Sequence, residues 1–304
     1  MYSVSVIIPA HNREKLLNGA VQSVLAQTHQ DFEIIIVDDG STDATRELVG
    51  GLVEQDRRIR YLQHDTNRGA PAARNTGIRA AKGDWIAFLD SDDQLLCDSL
   101  QVRLRLAREK RIHVVHSECL VLHPAAGEPE RYGTPPMQGR IYKELLGRCG
   151  PTFPGLLVSK EALTRVGFLD ETIMSHQEWD TSIRLAKYYE FGYVPEPTFT
   201  YDRRFADSIS KNLIHQAKGY EQVFTKHFWP IFWFLGPKAL VRHYIRAARL
   251  YLQAKDEGNA RRCSLRAFLL WPFQPRTISR GVARLLKSGF NRIFVSANGG
   301  GKGR

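Results

Sequence analysis

A chain of 304 residues with 43% hydrophobic residues is long enough for one large globular domain, or for a domain of about 200 residues with an appendage. Its four cysteines form no C-x-x-C pair, which excludes a clustered-cysteine metal site and suits reduced thiols: Cys97, Cys119, Cys149 and Cys263. The net charge of +11 divides into −4 for residues 1–200 and +15 for residues 201–304. This division predicts an acidic catalytic part and a basic part that faces a polyanion, and a solvated basic helical bundle is the alternative.

Two features of the sequence bear on where the protein works. The chain enters a strand-like apolar run at Val4 without a preceding basic stretch or cleavage site, so we expect no signal peptide. No apolar run approaches the ~18 residues that a membrane-spanning helix needs. We therefore expect a cytoplasmic protein, with the basic C-terminal part as a candidate for peripheral attachment to the inner face of the cytoplasmic membrane.

The first part of the chain alternates strand and helix patterns. Residues 4–8 form a β-branched run, and the helical spacing of apolar residues over 13–27 predicts a helix that packs on a sheet. The continuous apolar run 32–37 predicts a buried strand of a parallel sheet, which a helix over 44–55 and a strand at 59–62 follow. This order without a G-x-G-x-x-G motif predicts a nucleotide-binding α/β fold other than a dinucleotide-binding Rossmann domain.

Two acids follow the second predicted strand. Asp38 and Asp39 precede a glycine and Ser41, a sequence that turns the chain and begins a helix. Carboxylates at the carboxyl end of a strand can accept hydrogen bonds from a ribose hydroxyl or a nucleobase N–H. In the alternative interpretation one of these acids only caps the helix, although a cap does not need two acids.

A second acidic cluster ends the apolar run at residues 85–89. It places three acids within four residues, which are Asp90, Asp92 and Asp93. Such acids repel one another strongly unless a hard divalent cation lies among them. A metal that bridges a diphosphate is the simplest partner, and a solvated acidic turn is the alternative.

The segments around these clusters predict further parts of a pocket. An Ala/Gly-rich helix start at residues 67–81 carries Arg68 and Arg74, whose guanidinium groups suit phosphate. The rigid segment 151–155 is a candidate pocket wall. Patterns elsewhere predict helices at 99–110, 141–147 and 159–166, a strand at 112–116 and a proline-rich loop at 124–139.

A helix is predicted to begin in the segment 175–180. Its acids, Glu178 and Asp180, have a structural explanation because the helix dipole favours negative charge at a helix N-terminus. The histidines at 11, 64 and 176 fall in no zinc-binding spacing, so we predict no zinc site.

Beyond Asn212 the patterns are helical only. They predict helices near 213–228, 238–254 and 257–270, and residues 299–304 resemble a flexible tail. The aromatic run 228–235 is flanked by basic residues, a combination that suits a membrane interface. Packing of these aromatic residues within the protein is the alternative, and no recognised nucleic-acid-binding motif accompanies the charge.

Five ordered motifs in residues 4–210 resemble those of the family-2 inverting glycosyltransferases, which have the GT-A fold. The motifs are residues 6–12, residues 37–43, residues 67–77, Asp90-Ser91-Asp92 and residues 177–180. The resemblance implies an α/β GT-A-type nucleotide-sugar-binding domain with a mostly parallel central sheet at residues 1–211. A C-terminal α-helical appendage at 212–298 and the tail at 299–304 lie outside the shared motifs.

The resemblance also implies roles for individual residues. Pro9, Ala10 and His11 match the strand end that lines the nucleobase and ribose, although His11 stands where the family often has tyrosine. Asp39, with Asp38 beside it, matches the acid that holds the base.

The phosphate, metal and base positions follow in the same way. Arg74 falls in the segment that approaches the phosphates, and Ser91 lies beside the donor between Asp90 and Asp92, the D-x-D pair for Mg²⁺ or Mn²⁺. Asp92 is the direct ligand that the motif favours. Glu178 falls where the family keeps its general base, one methylene longer than the usual aspartate, with Asp180 as the alternative base.

The reaction that the resemblance implies is transfer of one sugar from a nucleotide-sugar, UDP-linked in our reading, to an acceptor hydroxyl. A glycan or lipid-linked acceptor of an envelope pathway, with an anionic membrane surface nearby, would explain the basic and aromatic C-terminal part. A catalytically silent nucleotide-sugar or glycan binder is the alternative function. A dehydrogenase or nucleotidyltransferase is disfavoured because no Gly-rich phosphate loop follows the first strand.

Overall fold

A computed structural model of the chain describes residues 3–123, 128–132, 136–202 and 212–271. The chain divides into two compact units, Met1–Ile209 and Ser210–Arg304. The domain limits predicted at 211/212 and 298/299 fall at or beyond the edges of the described residues and stay predictions. The same holds for the predicted tail at 299–304.

The first unit begins with three strand–helix repeats and a fourth strand. These elements are β1 (Val4–Ala10), α1 (Leu17–Leu25), β2 (Phe32–Asp38), α2 (Thr45–Gln55), β3 (Ile59–Gln63), α3 (Ala70–Ala80) and β4 (Trp85–Phe88). The elements that follow are β5 (Gln94–Leu95), α4 (Ser99–Lys110), β6 (Val114–Leu122), β7 (Glu130–Tyr132), α5 (Tyr142–Gly147), β8 (Leu157–Ser159), α6 (Lys160–Arg165), α7 (Gln177–Ala186) and β9 (Phe191–Asp202). A short 3₁₀ turn, Phe153–Gly155, precedes β8.

One sheet runs through this unit in the strand order β3-β2-β1-β4-β8-β6-β9-β5, with β7 paired to β6. The half made of β3, β2, β1 and β4 is parallel, as the continuous apolar strands predict. The other half is mixed: β8 is antiparallel to both β4 and β6, whereas β6 and β9 are parallel. The first half therefore presents four strand ends in a row, where a ligand can bind.

The core lies on the two faces of the parallel half. Every residue of β2 is buried, and α1 contributes Leu17, Ala20, Val21 and Val24 to the same cluster. Helix α3 lies close to β1 because Gly77 has no side chain, and a Cβ there would lie 2.6 Å from Cγ2 of Ile7. This close contact fixes the helix that carries Arg74 against the central strand.

The second unit contains four described helices, α8 (Leu213–Lys226), α9 (Phe228–Leu235), α10 (Pro237–Gln253) and α11 (Glu257–Leu270). Helix α10 packs against the other three. Between α8 and α11, the buried Glu221 accepts hydrogen bonds from both terminal nitrogens of Arg262 at 2.6 and 2.7 Å. Among the described residues, no helix is both long and apolar enough to cross a membrane.

Candidate active site

The carboxyl ends of β1, β2, β3 and β4 meet at one edge of the sheet because these strands are parallel. Ala10 pairs with Asp38 in the register of β1 and β2. Just after β4, the Leu89 amide donates to the Ile7 carbonyl of β1 at 3.1 Å. The two acidic clusters predicted from the sequence therefore flank the end of β1.

The loops after β1 and β2 are tied together by hydrogen bonds. The Asn12 amide donates to Ser41 Oγ at 2.9 Å, and the Thr42 amide donates to Asn12 Oδ1 at 2.8 Å. His11 is half-buried, and its Nδ1 lies 3.0 Å from the carbonyl oxygen of Asp39. These contacts fix the position of the His11 ring at the end of the strand that carries Pro9.

Asp38 binds protein groups with both carboxylate oxygens. It is fully buried, and it accepts from the Ser41 amide at 2.9 Å and from the Tyr61 hydroxyl at 2.7 Å. Burial, followed by the hydrogen bond to Asp38, raises the pKa of Tyr61, so this hydroxyl remains a donor at neutral pH. Asp38 thus shapes the turn after β2 from beneath.

Asp39 holds the loop that leads into α3. Its Oδ1 accepts from His64 Nδ1 at 2.7 Å and from the Arg68 amide at 2.9 Å, and its Oδ2 accepts from the Gly69 amide at 2.6 Å. The other ring nitrogen of His64 lies 2.9 Å from Thr76 Oγ1 on α3. A carboxylate has about four lone-pair sites, so Asp39 retains capacity for one further donor from a ligand.

The acidic turn after β4 carries mutually repelling carboxylates. Asp92 is half-buried, and burial followed by the charge of Asp90 raises the pKa of its carboxyl group. Asp93 is buried, and burial followed by the charges of Asp90 and Asp92 raises its pKa further. Ser91 is buried in the turn that the Asp93 amide closes by donating to the Asp90 carbonyl at 3.1 Å. A cation at this turn would relieve the repulsion.

Sequence reasoning missed a fourth acid here, Asp202, at the end of β9. Its backbone amide donates to Asp93 Oδ1 at 3.1 Å, and its charge contributes to the raised pKa of Asp92 and Asp93. The separation of 109 residues explains why no local motif revealed it.

Arg74 joins the acidic turn to the wall of the site. It is buried, and its Nη2 donates to Asp90 Oδ1 at 2.5 Å. The guanidinium carbon lies 4.4 Å from the centre of the Phe153 ring, a cation–π contact with the segment predicted to line a pocket. The Nε of Arg74 is buried and makes no hydrogen bond to the described residues. The Nε–H of Arg74 is therefore available to an anion.

Glu178 lies in the first turn of α7, a helix that begins at Gln177. It is half-buried, and burial raises the pKa of its carboxyl group. The charge of Arg74 lowers this pKa and the charge of Asp90 raises it, so all three groups belong to one electrostatic environment. The structure thus brings together Glu178, the predicted base, Arg74, the residue predicted to bind phosphate, and the acidic turn at Asp90.

Asp180 has different surroundings from Glu178. It is fully buried, and its Oδ2 accepts from Arg184 Nε at 2.8 Å. The same guanidinium donates to the carbonyls of Val166 and Phe168 at 2.6 and 2.7 Å. Asp180 therefore anchors α7 to the segment before it. Residues two apart on a helix point to nearly opposite sides, which explains the different environments of the two acids.

The carboxylates at this edge could supply some, but not all, of the ligands of a hard divalent cation. Among the described residues, no group of three or more His, Cys, Asp or Glu side chains is placed to hold one ion. Asp90 has a side chain that is 34% exposed, and Asp92 is also accessible in part. One or two carboxylates with substrate phosphates are the usual ligands of Mg²⁺ in enzymes that bind nucleotides. The acidic turn fits that arrangement.

The sequence model of glycosyl transferase family 2 matches residues 5–154, which include both acidic strand ends and Arg74. Residues 5–154 thus carry the sequence pattern of glycosyl transferase family 2. The two predicted bases, Glu178 and Asp180, lie beyond the matched part of this family 2 domain.

Curated relatives of the family 2 domain cover part of the chain. The UDP-Glc:alpha-D-GlcNAc-diphosphoundecaprenol beta-1,3-glucosyltransferase WfgD of Escherichia coli is 34% identical over 149 residues, which are 49% of this chain and 57% of that protein. The GalNAc(5)-diNAcBac-PP-undecaprenol beta-1,3-glucosyltransferase of Campylobacter jejuni is 38% identical over 122 residues, 40% of this chain and 39% of that protein. An uncharacterized glycosyltransferase of Rickettsia felis is 38% identical over 154 residues, 51% of this chain and 25% of that protein. The chain thus spans between a quarter and somewhat over half of these relatives.

Solved structures extend the similarity of fold to most of the chain. Staphylococcus aureus TarS 1–349 in complex with UDP-GlcNAc aligns with a TM-score of 0.61 at 18% identity, covering 87% of this chain and 91% of that chain. The mannosyltransferase PcManGT from Pyrobaculum calidifontis, in complex with GDP-Man and Mn²⁺, aligns with a TM-score of 0.55 at 19% identity, covering 96% of this chain and 80% of that chain. The predicted GT-A fold of the family 2 domain is therefore confirmed.

Proposed function

We propose that this chain is a metal-dependent, inverting glycosyltransferase that moves one sugar from a nucleotide-sugar, UDP-linked in our proposal, to an acceptor hydroxyl. The observation that carries the proposal is the environment of Glu178, a half-buried carboxyl group whose pKa is raised and on which the charges of Arg74 and Asp90 act. Burial makes this carboxylate a stronger base than an exposed glutamate, which suits it to take a proton at neutral pH.

The names of the relatives support the proposed donor and acceptor classes. WfgD is named for a UDP-glucose donor and a diphosphoundecaprenol-linked acceptor, and the Campylobacter jejuni relative is named for an undecaprenol-linked acceptor. A putative teichuronic acid biosynthesis glycosyltransferase of Bacillus subtilis is 42% identical over 107 residues. We therefore infer a glycan or lipid-linked acceptor from cell-envelope synthesis.

In the proposed transfer step, a residue of this chain accepts the proton of the acceptor hydroxyl. The acceptor hydroxyl loses its proton to a Glu178 carboxylate oxygen while the acceptor oxygen forms a bond to the anomeric carbon. On the opposite face the bond from that carbon to the diphosphate oxygen breaks, and its electron pair leaves with the nucleoside diphosphate. The configuration at the anomeric carbon inverts, and the proton on Glu178 passes to solvent.

Negative charge grows on the departing diphosphate, and the site has two means to stabilise it. The Nε of Arg74 is an unused donor in a buried guanidinium, and such a donor gains strength when water is excluded. Asp90 and Asp92 would hold Mg²⁺ or Mn²⁺, which supplies positive charge to the diphosphate. We assign the binding of the base and ribose to Pro9, Ala10, His11 and Asp39, which lie at the ends of β1 and β2 and in the loops that the hydrogen bonds described above connect.

Release of nucleoside diphosphate from a panel of nucleotide-sugars tests the proposal. We expect release from one donor in the presence of Mn²⁺ or Mg²⁺, loss of release in EDTA, and loss of release in Asp92→Ala with an unchanged far-UV circular dichroism spectrum. Full activity of a metal-free preparation in EDTA would overturn the assignment of the metal. Tight binding of a donor without any release, in the presence of acceptor lipids, would favour the silent binder instead.

A further inference from the structure

The helix α9 presents aromatic side chains that the protein does not use in its core. Pro230 is tolerated because it lies in the first turn, where amides have no partner within the helix. Ile231 is the one residue of α9 that is buried, whereas Trp229, Trp233 and Phe234 are 64%, 75% and 52% exposed. Trp229 and Trp233 are four residues apart and therefore share one face of the helix.

A second apolar face adjoins the start of α9. Leu265, Phe268 and Leu269 of α11 are exposed at helical spacing. Leu269 lines an open hollow of about 270 Å³ together with Phe228, the first residue of α9. Because Phe228 and Leu269 line the same hollow, we group the exposed apolar residues of α9 and α11 as the aromatic patch: Trp229, Trp233, Phe234, Leu265, Phe268 and Leu269.

Basic residues form a row along α10, the helix that follows α9 in the chain. Lys238, Arg242, Arg246 and Arg249 are exposed and follow a spacing of four, four and three, so they share one face of the helix. Lys238 opens the row, and its Nζ lies 5.2 Å from the centre of the Trp271 ring at the end of α11. The described residues 212–271 contain ten Lys and Arg against three Asp and Glu, a net charge of +7.

We propose that the aromatic patch and the basic row of α10 bind the surface of an anionic phospholipid bilayer. Tryptophan and phenylalanine side chains are favoured at the depth of the lipid headgroups, and Lys and Arg are attracted to anionic headgroups beside them. A twofold contact between two copies through the same surface would bring together two surfaces of like net charge, which is repulsive. Nucleic acid would match the charge but would leave the exposed leucines without a partner.

Membrane binding is a proposal separate from the proposed transfer reaction, and experiment can disprove either one without the other. Vesicle binding is measured without donor or acceptor, whereas release of nucleoside diphosphate from the donor is measured without vesicles. A lipid-linked acceptor would lie at the same membrane surface, so attachment would convert a search in three dimensions into one along the surface.

Vesicle co-sedimentation of the whole chain provides the test. We expect binding to phosphatidylcholine vesicles that contain phosphatidylglycerol, little binding to phosphatidylcholine alone, and release when ionic strength rises from ~0.05 to ~0.5 M, where the screening length falls below ~5 Å. Trp229→Ala with Trp233→Ala should weaken binding by ~10-fold or more, because two interfacial rings are lost. Arg242→Glu with Arg246→Glu should abolish it.

Matched controls separate these effects from general ones. Arg105→Glu with Arg108→Glu makes the same charge change on exposed residues of α4, and Tyr188→Ala removes an exposed aromatic ring from the first unit, so both should bind vesicles as the wild type does. Donor hydrolysis without vesicles should be unchanged in the tryptophan variant, which shows that it folds.

Three results would overturn the proposal. The first is failure to bind anionic vesicles at low salt. The second is a wild-type dimer that the tryptophan variant converts to a monomer without any vesicle binding, since the patch would then be a subunit interface. The third is tighter binding to single-stranded nucleic acid than to vesicles, with the same loss in the arginine variant.

Discussion

At the scale of single residues, Glu178 carries the chemistry of the proposal, and its raised pKa predicts a pH dependence. The base acts when deprotonated, so activity is present above its pKa and is lost as the pH falls through it. Because burial raises this pKa above the ordinary value of 4.5, the acidic limb of kcat/KM should lie above pH 4.5. A pH profile measured at fixed metal and saturating acceptor checks this expectation. An acidic limb at or below the ordinary value would contradict it.

A second residue, Arg103, stabilises the wall of the site from within the core. It is completely buried, and burial lowers its pKa to about 9, so it stays charged at neutral pH. Its guanidinium donates to the carbonyls of Pro154 and Leu156 at 2.9 and 3.2 Å and to Ser99 on its own helix. Pro154 lies within the 3₁₀ turn that presents Phe153 to Arg74, and Leu156 directly follows that turn.

We expect Arg103→Met to lower the free energy of unfolding by about 3 kcal/mol, because buried carbonyls lose their donors. Chemical denaturation monitored by circular dichroism measures this change. Arg105→Met on the same helix is the control: Arg105 is exposed and makes one long ion pair of 3.9 Å, so we expect a change within about 0.5 kcal/mol. Equal effects of the two substitutions would show that Arg103 does not have this structural role.

At the scale of secondary-structure elements, the close packing of α3 against β1 depends on Gly77. Gly77→Ala would place Cβ 2.6 Å from Cγ2 of the buried Ile7, so either the side chain or the helix must shift. We expect destabilisation by about 1–2 kcal/mol although alanine favours helices, because overpacking outweighs the gain in propensity.

Gly50 of α2 provides the matched comparison for Gly77. A Cβ at Gly50 meets nothing within 4 Å, so Gly50→Ala should stabilise the protein by about 0.5–1 kcal/mol through helix propensity alone. Thermal unfolding of the two variants measures both signs. If both variants are more stable than the wild type, α3 tolerates a wider separation from β1 than the structure indicates.

Elements with a strong local pattern could be predicted from the sequence. The β-branched runs of β1 and β2 and the helical spacing of α2 and α4 gave nearly the observed bounds. Helix α1 begins at Leu17 rather than at residue 13, and the Arg13 and Glu14 amides before it bond to Thr45 and Asp43 after β2. The short strands β5 and β8 escaped prediction because their partners across the sheet, rather than their own sequences, make them strands.

The candidate site also has parts that the sequence predicts and parts that it does not. An acid directly after an apolar strand pattern can be recognised in the sequence. The turn at Asp90 and the pair Asp38 and Asp39 were therefore predicted as parts of the site. What each carboxylate binds depends on residues far along the chain: Tyr61 for Asp38, and Asp202 for Asp93. The resemblance ranked Glu178 above Asp180 as the base, but it could not show that Asp180 is fully buried against Arg184 while Glu178 is half-buried.

At the scale of the whole molecule, the two parts of the sequence differ in charge, −4 for residues 1–200 and +15 for residues 201–304. The proposed donor is an anion that would bind at an acidic edge of the sheet, and the proposed Mg²⁺ or Mn²⁺ would compensate the charge there. The C-terminal helices carry positive charge, which attracts an anionic surface. The two proposals thus place a metal-dependent site and a membrane-binding surface in one chain. Arg203, a further candidate for stabilising the diphosphate, lies outside the described residues.

The central claim is that Glu178 is the base of a sugar transfer, and comparison of Glu178→Gln with Asp180→Asn tests it most directly. Turnover is followed by release of nucleoside diphosphate with donor and acceptor, donor affinity by calorimetry, and folding by the unfolding midpoint. Glu178 as base predicts a loss of ~10²-fold or more in kcat for Glu178→Gln with unchanged donor affinity and midpoint, and a lower midpoint for Asp180→Asn. Normal turnover in Glu178→Gln together with a folded but inactive Asp180→Asn would contradict it.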